Sequence, residues 1–217
     1  MPQLTLYNYW RSSSSHRVRI ALALKGLEYR YEVVNILAEE HETPAHRARS
    51  PMGYVPCLEV DGVVYVESVA IIELLDELFP APRLYPDKPH ARARMRALIE
   101  IVNSGIQPLQ NRHVTQFLST EADVQRRWLK HFVMRGLVAL ESAMATVETE
   151  GIVGRYAFGD SPTAADAFLV PQVDSARRFH VEVEAYPRIA RAYDEAMKIE
   201  AFQKAAPARQ PDAVVKS

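Results

Sequence analysis

Cysteine is nearly absent from this chain, with Cys57 the single example among 217 residues. One cysteine cannot form an intrachain disulfide, a CxxC redox pair or a cysteine-rich metal site. Because Cys57 follows Val55-Pro56 at the start of a strand-like run, we expect a buried, unreactive thiol rather than a nucleophile. The sequence therefore predicts neither a metal centre nor chemistry at a protein thiol.

An excess of charge is also missing, since 26 Lys and Arg residues face 27 Asp and Glu residues. Nucleic-acid-binding domains usually carry a basic excess, so the composition argues against nucleic acid as a partner. No apolar run approaches the roughly 20 residues of a membrane-spanning helix, and the N-terminus does not resemble a signal peptide. We therefore expect a cytoplasmic globular protein that neither binds nucleic acid nor enters a membrane.

Strand and helix patterns alternate over residues 1–80 in the order βαβ and then ββα. The predicted elements are strands at Leu4–Tyr7, Tyr29–Val34, Cys57–Val60 and Val63–Val66, with an amphipathic helix at Ser15–Leu24 and a second helix from Ser68 to Pro80. Asp61-Gly62 separates the last two strands as a hairpin turn, because glycine tolerates the positive φ that such turns require. This order predicts a mixed four-stranded sheet covered by helices.

Prolines mark a boundary near residue 80, because four of them fall within residues 79–89. Beyond this stretch no convincing strand appears and the helical period takes over. We therefore predict an α/β domain at residues 1–80, a linker at 81–89 and an all-helical domain at 90–217. Two pairs in the helical domain, Thr120 with Asp123 and Thr163 with Asp166, have the spacing of a capping box at a helix start.

A serine run, Ser12–Ser15, lies where the first strand passes into the first helix. Unpaired backbone N–H groups, the positive end of the helix dipole and several hydroxyl groups would meet there, beside Arg11. This combination favours an anion-binding site. A serine run before a helix is also a common N-cap, so these residues alone leave both interpretations open.

The chain resembles the zeta-class glutathione transferases over essentially its whole length. The segment Ser12–Leu22 is similar to the class signature SSCxWRVRIAL, Val55-Pro56 resembles the cis-proline before the third strand, and Glu67-Ser68 resembles the pair that holds the γ-glutamyl end of glutathione. Further similar segments are residues 107–111 and 169–173. The resemblance implies a thioredoxin-like N-terminal domain, an all-helical C-terminal domain, glutathione as the cofactor and a homodimer.

Zeta-class members include maleylacetoacetate and maleylpyruvate isomerases, so the resemblance implies cis–trans isomerisation of a maleyl-keto diacid in aromatic catabolism. The chain departs from the signature at two positions, since Ser14 replaces its cysteine and His16 its tryptophan. The second departure resembles bacterial maleylpyruvate isomerases more than animal maleylacetoacetate enzymes, and the substrate stays open between the two. We expect His16, inside the first helix, to be structural rather than to transfer protons.

Isomerisation requires the conjugated double bond to become temporarily single, which reversible addition of a thiolate achieves. Without a suitable protein cysteine, the resemblance assigns this role to glutathione. A free thiol has a pKa of about 8.5, so ionising most of it at neutral pH requires about 2.7 kcal/mol. One charge-assisted hydrogen bond contributes about 1.5–3 kcal/mol and a helix N-terminus about 0.3–1 kcal/mol. Ser14 or Ser15 is therefore expected to stabilise the thiolate without a general base.

A dicarboxylate substrate requires guanidinium groups, which bind carboxylates bidentately and can steady an enolate. Arg11 lies beside the serine run, Arg178 occupies the family's substrate-arginine position, and Arg112 is a third candidate, whereas Arg177 points about 100° away from Arg178 on a helix. The residues expected to contact glutathione are Ser14, Val55, Pro56, Glu67, Ser68, Gln110 and Asn111. For Gln110 and Asn111 the alternative is that they repair backbone hydrogen bonds freed by Pro108.

Two other functions stay open at the level of sequence. One is a transferase or dehalogenase that acts on small electrophiles such as α-haloacids, and the other is a non-catalytic module that binds glutathione or another protein. The arginines favour the diacid isomerase over the first, because apolar electrophiles do not require them. The combination of Arg11 and Ser14 favours an enzyme over the second, because simple binding needs no activated thiolate.

Overall fold

A computed structural model describes residues 2–214 of the chain. In chain order the strands and α-helices are β1 (Leu4–Asn8), α1 (Ser13–Leu24), β2 (Arg30–Val33), α2 (Pro44–Arg47), β3 (Cys57–Val60), β4 (Val63–Val66), α3 (Ser68–Leu78), α4 (Pro89–Asn103), α5 (Arg112–Leu118), α6 (Ala122–Thr149), α7 (Ala164–Arg178), α8 (Pro187–Ala196) and α9 (Glu200–Ala205). Among the described residues, no helix has both the length and the apolar character needed to cross a membrane.

Contacts within the chain form two compact units. The N-terminal unit contains the chain up to Arg83 together with the segment from Ile199 onward, and the helical unit contains Leu84–Lys198. The first carries the sheet and the second is helical, which confirms the predicted fold class.

The N-terminal unit is built on a four-stranded sheet in the order β2-β1-β3-β4. β1 runs parallel to β2 and antiparallel to β3, and β3 runs antiparallel to β4. Leu6 in β1 pairs with Leu58 in β3, and both side chains are fully buried. The predicted mixed sheet is therefore confirmed, with its core on the faces of the two central strands.

The turn between β3 and β4 has the predicted residues and the predicted strand bounds. Asp61 and Gly62 both have positive φ, 48° and 86°, as a type I′ turn requires. Aspartate is among the non-glycine residues that tolerate this region best. The local chemistry of two residues was thus sufficient to fix this hairpin.

α1 differs from the predicted amphipathic helix, because every residue of 15–22 is buried. Both α3 and α9 pack against α1, so its second face is covered by a helix from the C-terminal segment. The buried set includes Arg17 and Arg19. Their guanidinium groups need hydrogen-bond acceptors inside the protein, since an unpaired buried charge is costly.

The C-terminal segment packs with the N-terminal unit, whereas the sequence pattern had assigned it to a helical domain at residues 90–217. Phe202 in α9 is fully buried, and the carbonyl oxygen of Ala205 accepts a hydrogen bond of 3.1 Å from Nε of Arg19. An apolar helix face shows that a helix is covered but does not show by what. The domain division therefore differs from the predicted one at its C-terminal end.

Lys25, at the end of α1, is buried within the N-terminal unit. Its ammonium group donates to Oδ1 of Asp76 at 2.8 Å, to the carbonyl oxygen of Phe79 at 2.7 Å and to that of Pro82 at 2.9 Å. These three bonds use all the N–H donors of the amine. Lys25 thereby joins the end of α1 to the end of α3 and to the segment that follows.

One of the two predicted capping boxes is present in the helical unit. Asp166 is fully buried and accepts hydrogen bonds of 2.8 Å from the backbone N–H groups of Thr163 and Ala157. The other prediction was wrong, because α6 begins at Ala122 without a side-chain cap, and Asp123 pairs with Arg126 instead. A spacing of three residues fits both a helix cap and an ion pair on the helix surface, so it does not distinguish between them.

Candidate active site

Ser12 caps α1 and starts the helix two residues earlier than predicted. It has extended backbone geometry, and its Oγ accepts a hydrogen bond of 3.2 Å from the N–H of Ser15. The amide N–H groups of Ser13 and Ser14 form no hydrogen bond within the described residues. The helix start thus presents two unpaired amides at the positive end of its dipole.

The structure separates the two serines that the sequence left equivalent. Ser15 is fully buried, and its Oγ lies 3.5 Å from the backbone N–H of Tyr9, within hydrogen-bond distance. Ser14 is only half-buried, and its hydroxyl forms no hydrogen bond among the described residues. The hydroxyl suited to an external ligand is therefore that of Ser14, whereas Ser15 faces the interior.

The start of α3 lies against α1 through one buried arginine. Nη1 of Arg17 donates to Oγ of Ser68 at 3.0 Å, and both side chains are buried. Because Arg17 is in the second turn of α1 and Ser68 begins α3, the two helix N-termini lie in the same part of the N-terminal unit. Two positive helix ends at one place favour the binding of negatively charged groups.

Glu67, which precedes α3, has an unusual backbone conformation. Its φ is 68° and its ψ is 118°, its side chain makes no cap hydrogen bond, and it is exposed. A non-glycine residue at positive φ costs about 1–3 kcal/mol and is retained mainly where a site requires it. This strain marks Glu67 as a candidate ligand-binding residue beside Ser68.

The Val55–Pro56 peptide bond is cis and directly precedes β3. Pro56 is buried and Val55 is half-buried, at the edge of the ladder where β3 begins. Cys57, the next residue, is fully buried, and burial raises the pKa of its thiol to about 11. The expectation of a buried cysteine is thus confirmed, and the raised pKa disfavours the reactive thiolate form.

The β1–α1 loop, residues 9–12, carries Arg11, whose side chain is exposed. Within the described residues Arg11 forms no hydrogen bond or ion pair, so its guanidinium group is available to a ligand. Arg19 holds the loop from inside, donating to the carbonyl oxygen of Trp10 at 2.9 Å and to Oδ1 of Asn8 at 2.9 Å. Burial lowers the pKa of Arg19 to about 10, which still leaves it charged at neutral pH.

His16 is buried in α1. Burial, and secondarily the charge of Arg19, lowers the pKa of His16 well below its usual value. A buried histidine with a lowered pKa carries no extra proton at neutral pH and is poorly placed to donate one to a substrate. These observations favour the structural role expected from its place inside the helix.

Gln110 and Asn111 are both held by neighbouring amides of the helical unit. Oε1 of Gln110 accepts a hydrogen bond of 3.1 Å from Nε2 of Gln172, and Oδ1 of Asn111 accepts one of 2.7 Å from Nε2 of Gln107. Asn111 precedes α5 but makes no side-chain cap bond to it. These contacts do not correspond to the alternative in which both amides repair the backbone around Pro108.

Arg178 and Arg112 are both exposed, at the end of α7 and the start of α5 respectively. Nη2 of Arg178 donates to Oγ of Ser175 at 3.1 Å, and its guanidinium group lies 5.4 Å from the ring centre of Phe179. Arg177 is engaged elsewhere, since it lies 3.2 Å from Glu184 and stacks on Tyr193 at 4.4 Å. The two neighbouring arginines therefore point differently, and Arg178 is the better candidate for a substrate.

Several contributing residues were given no individual role in the site from the sequence. They are Ser12, Arg17, Arg19, Gln172 and Ser175. A signal existed for Ser12, because it lies three residues before Ser15, the offset at which an N-cap oxygen accepts an amide hydrogen. No comparable signal existed for the two arginines, since a charged residue in a helix is usually a surface residue.

Comparison with known proteins places both units in one protein family. The family models of the glutathione S-transferase N-terminal and C-terminal domains match residues 6–83 and 107–195. A maleylpyruvate isomerase of Ralstonia sp. is 45% identical over 96% of this chain and 99% of its own.

Two solved structures are also similar. A holo maleylpyruvate isomerase, a bacterial zeta-class enzyme, is 42% identical with a TM-score of 0.91, covering 97% of this chain and 100% of its own. A maleylacetoacetate isomerase of Anaeromyxobacter dehalogenans 2CP-1, with dicarboxyethyl glutathione and citrate in its active site, is 47% identical with a TM-score of 0.86, covering 98% and 94%. The chain therefore belongs to the glutathione S-transferase family, in its zeta class.

Proposed function

We propose that this chain is a glutathione-dependent isomerase that converts a maleyl-keto diacid, maleylacetoacetate or maleylpyruvate, into its fumaryl isomer. The observation that carries the proposal is the start of α1, where Ser14 offers a half-buried hydroxyl beside two unpaired amides. The protein's own thiol, Cys57, is buried in β3, so a nucleophilic sulfur has to come from a bound thiol. The isomerases among the relatives support this reaction class.

Glutathione fits the donors and acceptors of the N-terminal unit. Ser14 and the helix start are suited to the thiolate, and the backbone of Val55 beside Pro56 to the cysteinyl part. Ser68 begins a second helix suited to the γ-glutamyl carboxylate, and the exposed carboxylate of Glu67 is suited to the γ-glutamyl ammonium group. These donors, together with the carboxylate of Glu67, thus match the charged groups of the tripeptide.

Gln110 and Asn111 are proposed to contribute further polar contacts to glutathione. Each uses its side-chain oxygen in a hydrogen bond with a neighbouring amide, which fixes the orientation of the group. The NH₂ end of each side chain then points in a defined direction with its two donors. The helical unit can therefore supply oriented amide donors as well as arginines.

When bound, glutathione supplies a thiolate that adds reversibly to the conjugated double bond, so that rotation about that bond becomes possible. The residues of this chain lower the free energy of the ionised thiol. A hydroxyl donor contributes about 1.5–3 kcal/mol to an anion and a helix N-terminus about 0.3–1 kcal/mol, which together reach the roughly 2.7 kcal/mol required. Ser14 therefore suffices without a general base, and neither Ser15 nor neutral His16 is needed.

The diacid is proposed to bind through arginines. Arg11 and Arg178 are exposed guanidinium groups, and Arg112 is a third. A guanidinium group binds a carboxylate through two parallel hydrogen bonds and also stabilises negative charge that develops on a conjugated carbonyl. The three arginines thus supply both recognition of the diacid and stabilisation of the enolate.

The proposal is tested by incubating purified protein and glutathione with maleylpyruvate and, separately, with maleylacetoacetate. We expect the ultraviolet absorbance of at least one substrate to change to that of its fumaryl isomer, in proportion to enzyme concentration and only when glutathione is present. Absence of conversion for both substrates would overturn the proposal. The ratio of the two kcat/KM values would identify the preferred diacid.

Replacing Arg178 by Met is expected to raise KM for the diacid by about 10- to 100-fold, the equivalent of one charge-assisted hydrogen bond. The affinity for glutathione should hardly change, and steady-state kinetics with each substrate varied in turn measures both. Arg177→Met is the matched control, because Arg177 is bonded to Glu184 and stacked on Tyr193. Equal losses for diacid and glutathione would show that Arg178 has another role.

A transferase or dehalogenase that acts on α-haloacids is the alternative on the same scaffold. It would use the same glutathione site, and the single carboxylate of a haloacid would bind to one arginine. Three exposed candidate arginines favour a substrate with two acidic groups and a conjugated carbonyl. Glutathione-dependent halide release with a higher kcat/KM than diacid isomerisation would reverse this preference.

The protein is further proposed to be a cytoplasmic homodimer. Large apolar side chains are exposed in both units, among them Met52, Tyr54, Val63, Tyr65, Met134 and Val138. Methionine and tyrosine are enriched at protein interfaces relative to the rest of the surface. Light scattering that gives the mass of one chain would contradict the dimer, and cell fractionation tests the location.

A further inference from the structure

The C-terminal segment meets the β1–α1 loop at one carboxylate. Oδ2 of Asp212 accepts a hydrogen bond of 3.0 Å from the backbone N–H of Trp10, and Oδ1 accepts one of 2.5 Å from the hydroxyl of Tyr31. Because both oxygens are bonded, the position and the plane of the carboxylate are both fixed. Asp212 follows Trp10 by 202 positions, so this contact depends on the tertiary fold.

Arg19 binds the other backbone polar group of Trp10, its carbonyl oxygen. Its Nη2 donates to the carbonyl oxygen of Trp10 at 2.9 Å, while its Nε donates to the carbonyl oxygen of Ala205 at 3.1 Å. The N–H and the C=O of Trp10 are therefore each bonded to a charged side chain, one from the C-terminal segment and one from α1. Such bonds are roughly twice as strong as those between neutral groups.

Trp10 directly precedes Arg11, and Ser12 caps the helix whose first turn holds Ser14. The backbone position of Trp10 therefore determines where the Arg11 side chain begins and how the cap approaches α1. We propose that Asp212 is a positioning residue of the glutathione site, which holds the β1–α1 loop in its binding arrangement through the amide of Trp10. This inference rests on the proposed function, because it assumes that the loop binds glutathione.

Tyr31 completes the arrangement. Burial, and then the hydrogen bond to Asp212, raises the pKa of Tyr31, so its hydroxyl stays a donor throughout the physiological range. Removing this hydroxyl leaves Asp212 with one fixed oxygen instead of two. Tyr31→Phe is therefore expected to have the same effect as a change at Asp212, but a smaller one.

Calorimetric titration with glutathione tests the inference on the full-length chain. We expect Asp212→Ala to raise Kd for glutathione by about tenfold, which corresponds to one lost hydrogen bond to a charged acceptor. Asp212→Asn and Tyr31→Phe are expected to raise it less, because each preserves part of the contact. The double variant Asp212→Ala/Tyr31→Phe should bind no more weakly than Asp212→Ala alone, since both residues act through one contact.

Two further measurements separate positioning from general stability. The ultraviolet absorbance of bound glutathione at fixed pH reports its thiolate fraction, which should fall in Asp212→Ala together with kcat. Glu200→Gln is the matched control, because it removes one negative charge from the same segment, at an exposed pair 2.8 Å from Lys204. It should change neither Kd nor absorbance.

A lower melting temperature of Asp212→Ala with unchanged Kd and thiolate absorbance would overturn the inference and leave Asp212 a purely structural residue. If Asp212→Ala does not fold, Kd for glutathione is measured in Asp212→Asn and Tyr31→Phe instead. Wild-type affinity for glutathione in both variants would then overturn the inference. Failure of the wild-type protein to bind glutathione would instead overturn the proposed function, and the inference with it.

Discussion

Ser14→Ala is expected to lower kcat/KM for the diacid by about 10- to 100-fold, because it removes one hydroxyl donor to the thiolate. The side chain is half-buried at the start of α1 and forms no hydrogen bond among the described residues, so its removal should not disturb the fold. The thiolate absorbance of bound glutathione at neutral pH should fall in parallel. Steady-state kinetics and ultraviolet titration of the glutathione complex measure the two effects.

Two variants at the same position provide the controls. Ser14→Thr keeps a hydroxyl and should retain most of the activity. Ser14→Cys restores the residue of the class signature and should have a higher kcat/KM than Ser14→Ala. Unchanged kcat/KM and unchanged thiolate absorbance in Ser14→Ala would contradict the assignment. The unpaired amides of the helix start would then be the principal donors to the sulfur.

Asp76→Ala is expected to lower the free energy of unfolding by about 3–5 kcal/mol, because it leaves the charge of Lys25 buried without its counter-ion. The two side chains are 0% and 2% exposed and lie 2.8 Å apart. The melting temperature of a chain of this length should fall by about 6–20 °C. Denaturant unfolding at neutral pH and differential scanning calorimetry measure the change.

An exposed ion pair supplies the comparison for Asp76. Asp123→Ala removes the partner of Arg126 on the surface of α6 and should cost less than about 1 kcal/mol. Replacing both members of the buried pair, in Lys25→Met/Asp76→Leu, should recover part of the loss, because the buried ammonium group is then removed together with its counter-ion. Similar losses for Asp76→Ala and Asp123→Ala would show that Lys25 finds other acceptors or reaches water.

Local chemistry was sufficient to predict some elements of this protein. The bounds of β3 and β4 follow from Asp61-Gly62, whose turn geometry depends on two residues. The cap formed by Thr163 and Asp166 and the N-cap that Ser12 of the serine run provides depend on equally short spacings. In each case the interacting groups lie within a few positions in the chain, so the sequence pattern contains the whole interaction.

Distant contacts were not predictable in the same way. Ser14 and Ser15 are identical neighbours in sequence, and only the packing of α1 shows that Ser15 faces the interior. Arg17 and Arg19 point about 200° apart around α1. The sequence gives no sign that α3 receives the first and α9 the second. Burial of a charged residue depends on partners that lie far away in the chain, here Ser68 and Ala205.

The return of the C-terminal segment to the N-terminal unit has a consequence for the order of folding during synthesis. α9, which covers α1, and Asp212, which bonds Trp10, both leave the ribosome after the whole helical unit. While that unit is being translated, the buried face of α1 around Arg19 has no covering helix, and the β1–α1 loop lacks its distant partner. Domains usually fold in the order of their synthesis, but this one is completed last although its sheet emerges first. The nascent chain should therefore bind glutathione more weakly until the segment that carries α9 and Asp212 has left the ribosome.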